Sequence, residues 1–314
     1  MKEYSIGIDL GGTRIKIGIV ANNEVIAKKL IPARSAQGLR ANLPCIKEEI
    51  EKLTGEANLP ITSLKGIGLA FPGLVNPWTK KILSTNQKYD DALEIDLEAW
   101  VKENWGVPFF LDNDARMATV GEWKCGAGQD TDNLVVMTIG TGIGTSAIVE
   151  GKLLRGRHFQ AGCLGGHFTI QYNGRKCTCG NIGCVEAYGS TWSLKEIIAM
   201  AVQQKENSET ISEITDFETL FGAAKKNDAL AIRIKQECMD VWAAGIINLI
   251  HAYDPEVVVL GGGVLNSQQD IIPYITEKVH QYAWCPWGKV QIRPTQLLSN
   301  AGILGVVYCL HHPV

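Results

Sequence analysis

A chain of 314 residues can hold one large domain or two ordinary ones, and two is the better expectation. Apolar residues make up 46% and charged residues 20%, enough apolar surface to offset the entropy of ordering, so a mainly disordered state is excluded. Thirty basic against thirty-three acidic side chains give a net charge of −3, which argues against a basic nucleic-acid-binding face.

The pattern predicts strands over Tyr4 to Leu10, Arg14 to Ala21 and Glu24 to Ile31, with turns at Gly11-Gly12 and Asn22-Asn23. A helical pattern runs from Leu39 to Leu53. A short apolar strand from Gly66 to Phe71 ends in Pro72-Gly73. A helix over Asp96 to Asn104 leads to a strand over Val107 to Leu111, with a further helix starting near Ala115. A similar order then restarts: a strand over Asn133 to Ile139, a glycine turn at Gly140-Thr141-Gly142, and a returning strand over Gly144 to Val149. Helical patterns cover Val185 to Gln204 and Ala229 to Ala252. The strand Glu256 to Leu260 runs into Gly261-Gly262-Gly263, and the helix Ala301 to Leu310 closes the chain. This reads as two α/β halves, each opening with a hairpin whose tip is made of small residues.

No apolar run approaches the ~18 residues that span a bilayer, and MKEYSIGIDL lacks a signal-peptide core, so a cytoplasmic protein without a membrane partner is expected. Nine cysteines include three crowded into CTCGNIGC, which in a cytosolic chain suggests metal or catalysis before disulfides.

Glycine lets a backbone approach a bulky anion and aim N–H groups at phosphate oxygens. In Asp9-Leu10-Gly11-Gly12-Thr13, Thr13 can add a hydroxyl donor, and Asp9 suits Mg²⁺ or its waters better than direct contact with an anion. Taken alone the segment could be a tight hairpin with a solvated Asp. Gly140-Thr141-Gly142 and Gly261-Gly262-Gly263 repeat the arrangement at strand ends, and three such turns suggest a bound nucleotide. Neither G-x-x-x-x-G-K-[ST] nor G-x-G-x-x-G is present, and the two hairpin turns do not open helices. Strand–turn–strand phosphate clamps in two halves match the actin-like ATPase architecture instead.

DLGGTRIK, FPG, LDNDA, TIGTGIG, a GH-x9-CxCGxxGCxE signature and VVVLGGG follow one another over nearly the whole chain. In these the sequence resembles the ROK family of bacterial sugar kinases and repressors. The resemblance implies an actin-like ATPase fold: two ribonuclease-H-like α/β domains around a cleft that closes on sugar, with a zinc-binding loop. The expected division is residues 1–113, completed by a C-terminal helix at about 299–314, and 114–298. ATP and Mg²⁺ would be held through Asp9, Gly11, Gly12, Thr13, Lys16, Thr141, Gly142, Gly261, Gly262 and Gly263. A small-molecule sugar would be the second substrate, and a homodimer or homotetramer is implied.

His167 with Cys177, Cys179 and Cys184 forms the soft ligand set of a four-coordinate structural Zn²⁺. Having no open position, such a site excludes a zinc hydrolase. The resemblance places His167 and Glu186 beside the sugar, although Glu186 could equally be a carboxylate favoured at a helix N-terminus. Gly73 and Asn86 are further sugar-side candidates. On position alone Asn113 or Asp114 could simply cap the following helix. The resemblance instead makes Asp114 the general base, taking the proton of a sugar hydroxyl, O6, as that oxygen attacks the γ-phosphoryl group of ATP. Asn113 would orient the sugar, and Asp112, where the family more often has Glu, would support it from behind.

Two departures from the family pattern stand out. Ala161-Gly162-Cys163-Leu164-Gly165-Gly166-His167 replaces AGE-[IL]-GH, so Cys163 stands where a sugar-binding Glu is usual and one extra glycine precedes His167. Either the sugar differs at that hydroxyl or the loop is re-aimed. Thr145-Ser146 replaces a glycine pair, and these hydroxyls could still contact phosphate. An ATP-dependent hexose kinase with glucose as the default substrate is the favoured expectation. N-acetylmannosamine, N-acetylglucosamine, fructose and allose remain open. A sugar-responsive repressor is disfavoured because the first strand begins by Tyr4. A sugar-binding regulatory protein without catalysis has only Cys163 in its support.

Overall fold

The computed structural model describes residues 3–85, 87–204 and 213–312. Strands β1 (Tyr4–Leu10), β2 (Arg14–Ala21) and β3 (Glu24–Pro32) lead to helix α1 (Leu43–Glu56). Then come β4 (Leu64–Phe71), β5 (Leu74–Asn76), β6 (Lys81–Ser84), α2 (Leu97–Trp105), β7 (Phe109–Asn113) and α3 (Asp114–Cys125). They are followed by β8 (Leu134–Ile139), β9 (Ile143–Val149), the two-residue β10 (Lys152–Leu153), α4 (Glu186–Gly189), α5 (Thr191–Gln203), α6 (Phe217–Lys225) and α7 (Ala229–Tyr253). The last elements are β11 (Val257–Gly261), α8 (Gln268–Tyr282), β12 (Gln291–Pro294) and α9 (Ala301–His311). Among the described residues no helix is long and apolar enough to cross a membrane.

The chain forms two compact units. The first contains the residues up to Asp130, the segment Lys152–Ala161 and the chain from Gln296 onward; the second contains Thr131–Gly151 and Gly162–Thr295. The sequence boundary at 113/114 had assigned α3 to the second unit. The structure gives α3 to the first, and the reason is its packing against α9. A methyl group on Gly121 would overlap the Ala301 carbonyl oxygen, and one on Gly305 would overlap that of Met117, so the two helices touch backbone to backbone.

In the first unit the strand order is β3-β2-β1-β4-β7, antiparallel through β1–β3 and parallel from β1 to β7. Gly7 of β1 lies in register with Gly18 of β2 and Gly68 of β4. Side chains alternate between the faces of a sheet, so these three glycines form a bare row on one face. Methyl groups on them would lie 2.7, 2.8 and 2.9 Å from atoms of Ile303 and Val306, which shows how closely α9 sits on the row. The alternate residues, Ile6, Ile8, Ile17, Ile67 and Leu69, belong to the opposite face and are fully buried in a core shared with Ile46 and Ile50 of α1 and Val101 of α2.

In the second unit β9, β8, β11 and β12 lie side by side, with β9 antiparallel to β8 and the other pairs parallel. Helix α7 buries Ile234, Trp242, Ile246 and Leu249, and ends at Asp254 in the left-handed region, φ 48°. The single helix expected over Val185 to Gln204 is broken at Ser190, which is extended (φ −103°, ψ 165°) and caps α5 through a reciprocal pair with Ser193. Helices α6 and α8 were not legible in the pattern, and Pro273 inside α8 masks its periodicity. β7 runs two residues past the expected strand end, because Asp112 and Asn113 continue it despite their polarity.

If the α3–α9 contact holds the first unit together, Gly305→Val should lower stability by about 2–3 kcal/mol, the usual cost of overpacking a tight contact. Urea unfolding measures this, and a loss below about 0.5 kcal/mol, within the ordinary surface range, would contradict it.

Candidate active site

Two constellations emerge, one in each unit. In the first, Asp9 lies next to the last residue of β1 and β2 returns through Lys16, whose Nζ donates to Asp9 Oδ2 at 2.6 Å. Asp9 is thus a buried carboxylate held by a lysine, and a methyl group on Gly302, near the start of α9, would lie 3.1 Å from its carboxyl carbon. The intervening turn is fixed from several sides. The Gly11 N–H donates to the Arg14 carbonyl at 2.9 Å, so it closes the hairpin and is not turned toward a ligand. Tyr89 Oη donates to the Gly11 carbonyl at 2.8 Å, and Ser35 Oγ to that of Gly12 at 2.7 Å. Lys88 lies over Gly12, where a methyl group would come within 3.1 Å of its Cε. Thr13 is exposed at the tip. Tyr89 is fully buried, and burial, followed by the Asp9 charge, pushes its phenol far above the ordinary range.

Asn113 and Asp114 stand at the carboxyl end of β7, where ligand groups gather in α/β sheets. Asn113 caps α3, its Oδ1 accepting from the Arg116 N–H at 3.1 Å. Its Nδ2 donates to the Gly73 carbonyl and to Asp114 Oδ1, both at 3.0 Å. A methyl group on Gly73 would overlap the Ser84 carbonyl oxygen, which explains a glycine there. Asp114 Oδ1 also accepts from the Ala115 N–H at 2.8 Å. Burial raises the Asp114 pKa to about 6, with a second push from the Asp9 carboxylate. Lys88, the Ala115 N–H and Lys16 oppose the shift. Asn86 lies outside the described residues.

Behind this end of β7, Asp112 is fully buried. It accepts from Arg116 Nη1 at 3.0 Å, Arg155 Nη2 at 3.0 Å and the Asn113 N–H at 2.7 Å. The Arg155 guanidinium stacks 4.7 Å from the Trp78 ring centroid. Removing one partner of such a buried pair typically costs about 3–5 kcal/mol, because the other charge stays behind unpaired. Sequence reasoning missed Arg116 and Arg155. The signal available was the four-residue spacing from Asp112 to Arg116; nothing local announces Arg155, Lys88 or Tyr89.

In the second unit the turns at 140–142 and 261–263 end neighbouring strands, with Gly261 in register with Thr138. Gly262 has φ 93° and a methyl group there would overlap the Ile139 carbonyl, so both conformation and space demand glycine. Thr141, Gly262 and Gly263 are exposed and Gly142 is half-buried.

The ligand atoms of His167, Cys177, Cys179 and Cys184 all lie within 4.8 Å of one another. Cys177 Sγ is 3.6 Å from His167 Nδ1 and Cys179 Sγ is 3.8 Å from Cys184 Sγ. A tetrahedral ion bound by thiolates at about 2.3 Å requires sulfur–sulfur edges of about 3.8 Å, so the cluster has the spacing of a four-coordinate metal site. Burial, then the neighbouring thiols, pushes the Cys184 thiol up to about 12.

Glu186, the carboxylate expected beside the sugar, is engaged within the second unit. Its Oε2 accepts from the Ile143 N–H at 2.7 Å and its Oε1 from Trp192 Nε1 at 3.2 Å. Thr145 differs from expectation. It is 1% exposed, and its hydroxyl donates to the Gly162 carbonyl at 2.7 Å and accepts from the Gly165 N–H at 2.8 Å. That hydroxyl is a staple for the altered loop and not a phosphate contact. A methyl group on Gly166 would overlap the Ile143 carbonyl, so the extra glycine seats the loop on β9, while the Tyr253 phenol hydrogen-bonds to the Gly162 backbone beside Cys163.

The ROK family model matches residues 5–312, and the chain belongs to the ROK family. It is 30% identical over 307 residues to a glucokinase of Thermotoga maritima, covering 96% of this chain and 95% of the relative. It is 29% identical over 310 residues to the xylose repressor of Bacillus subtilis, covering 96% and 76%. The fold matches the crystal structure of a ROK family glucokinase from Streptomyces griseus in complex with glucose and AMPPNP, with a TM-score of 0.80, 25% identity, and 96% and 97% of the two chains covered.

Thr145→Val keeps the shape and removes the hydroxyl, leaving the Gly162 carbonyl and Gly165 N–H without it. The expected loss is about 1–3 kcal/mol of stability. Denaturant unfolding that shows wild-type stability would contradict the staple.

Proposed function

We propose that the protein is an ATP-dependent hexose kinase in which Asp114 is the general base, with glucose as the default substrate and O6 as the attacking oxygen. The observation that carries this reading is the state of Asp114: a carboxyl at a strand end, held by Asn113 and Ala115, with a pKa raised to about 6. A base is most effective when its pKa lies near the working pH, ionised yet still able to hold a proton. Its neighbours Lys16 and Lys88 stabilise the ionised form before the transfer. The similarity to a glucokinase and to a glucose–AMPPNP complex supports the substrate pair.

In this reading Asp114 accepts the sugar hydroxyl proton, and Asn113 fixes the carboxylate so that one oxygen faces the acceptor. In the second unit, Thr141, Gly142, Gly262 and Gly263 offer backbone to phosphates at the ends of neighbouring strands. Lys16 and Lys88 add positive charge, and Gly73 positions Asn113 from behind. Mg²⁺, for which Asp9 offers a hard oxygen donor, supplies charge neutralisation on the phosphate oxygens when bound. The Cys/His cluster fits a structural Zn²⁺, which would cross-link a loop whose own buried apolar cluster is small.

Asp114→Asn tests the assignment on two independent axes. A coupled ADP-release assay over a panel of hexoses and N-acylhexosamines should show one preferred sugar for the wild type and a loss of at least about 10²-fold in turnover for the variant. Unchanged turnover would overturn the base. The raised pKa also has a stability consequence. An Asp with a folded pKa above its unfolded value favours the fold below the unfolded pKa and loses that contribution as pH rises through about 6. Asn carries no such loss, so the variant should melt higher than wild type at pH 8, with a smaller gap at pH 5.

A further inference from the structure

We propose that the second unit carries a further small-molecule site, a pocket between the end of α7 and the loop that joins α8 to β12, and that it takes an organic ammonium ion with an apolar body. The proposal does not depend on the kinase reading.

The pocket has a volume of about 390 Å³. It is lined by Ile250, His251 and Asp254 on one side and by Trp284, Cys285 and Trp287 on the other. Its volume lies in the range of small-molecule sites. All of these residues belong to the second unit. Trp284 and Trp287 are 78% and 54% exposed, although few side chains gain as much from burial as an indole. Their loop is tied down. The Ala283 N–H donates to the Val279 carbonyl at 2.8 Å, and the Trp284 N–H to His251 Nε2 at 3.0 Å. The Gly288 N–H closes a turn onto the Cys285 carbonyl at 3.2 Å. Two exposed indoles are thus set beside one cavity on a backbone held at both ends.

Charge selects the ligand. The lining contains one carboxylate, that of Asp254, and no lysine or arginine. His251 Nε2 accepts a hydrogen bond, so it carries no proton and the imidazole is neutral in this arrangement. Asp254 is also the C-cap of a 25-residue helix, an end where backbone carbonyls add partial negative charge. The carboxylate acts on the opposite side of the pocket: after burial, its charge is what pushes the Cys285 thiol up. An anion would be repelled here. A neutral apolar molecule would cover the carboxylate without pairing it. An ammonium group with carbon substituents meets both demands, because its charge is drawn to the carboxylate and to the indole π-systems while the same rings cover its apolar surface.

The test titrates the whole protein with choline, and with its uncharged isostere in which carbon replaces the quaternary nitrogen, by ligand-observed NMR at constant ionic strength. Choline should bind saturably, and the isostere at least about tenfold more weakly. Trp284→Ala and Asp254→Asn should each weaken choline by about three- to tenfold. Asn tolerates the left-handed backbone at position 254, so this variant keeps the helix end and removes only the charge. Trp287→Ala serves if Trp284→Ala does not fold. Equal binding of choline and its isostere would overturn the ammonium class. Choline affinity unchanged in both Trp284→Ala and Asp254→Asn would overturn the site, and so would the lack of saturable choline binding. Saturable binding of maltose that is lost in Trp284→Ala, with none of choline, would give the pocket to a neutral carbohydrate and overturn the proposal.

Discussion

The seating of α9 on a row of glycines is the constraint on which the first unit depends. Gly7, Gly18 and Gly68 remove side chains from three adjacent strands, and Gly121 lets α3 meet α9 backbone to backbone. Close approach brings dispersion contacts and buries Ile303 and Val306 completely. It also determines chemistry. Gly302 brings the start of α9 against Asp9, and α3, locked to the same helix, starts at Asp114. Asp114 and the Asp9 charge that raises its pKa are thereby fixed by one buried helix from the far end of the chain.

Electrostatic support follows the same plan. Asp112 is bound by two guanidinium groups, so the end of β7 that leads into Asp114 is anchored by ion pairs. Asn113 connects the two roles. Its oxygen caps α3 and its nitrogen holds Asp114. Capping of α3 and support of the Asp114 carboxylate are performed by different atoms of one side chain.

The glycine turns, the Cys/His cluster and the strand–turn–strand order were legible because each has a strong local signal: glycine where only glycine fits, or soft ligands at metal spacing. Long-range pairings were not. Arg155 meets Asp112 from 43 residues away, and no periodicity announces it. The unit boundary was placed one helix too early because Asp112 and Asn113 look like a loop, and α3 has no apolar stripe to reveal its partner; its contact with α9 is made through glycine. Thr145 and the loop Gly162–His167 appeared as two separate departures from the family pattern. The bonds from Thr145 to Gly162 and Gly165 make them one feature, a loop re-seated on β9 and locked by a hydroxyl. Glu186 is expected beside the sugar through the family resemblance, whereas its partners in the fold, Ile143 and Trp192, are set by tertiary packing that no local pattern announces.

The proposed base, Asp114, has a pKa balanced between burial and the Asp9 charge on one side and Lys88 and Lys16 on the other. The most direct measurement is kcat/KM for the preferred sugar as a function of pH, in the wild type and in Lys88→Met. An acid limb with a midpoint near 6 is expected for the wild type, since the reaction needs the ionised carboxylate. Removing the lysine, which favours that form, should move the limb to higher pH. A profile without a limb between pH 5 and 8, or one that stays in place in Lys88→Met, would contradict the account.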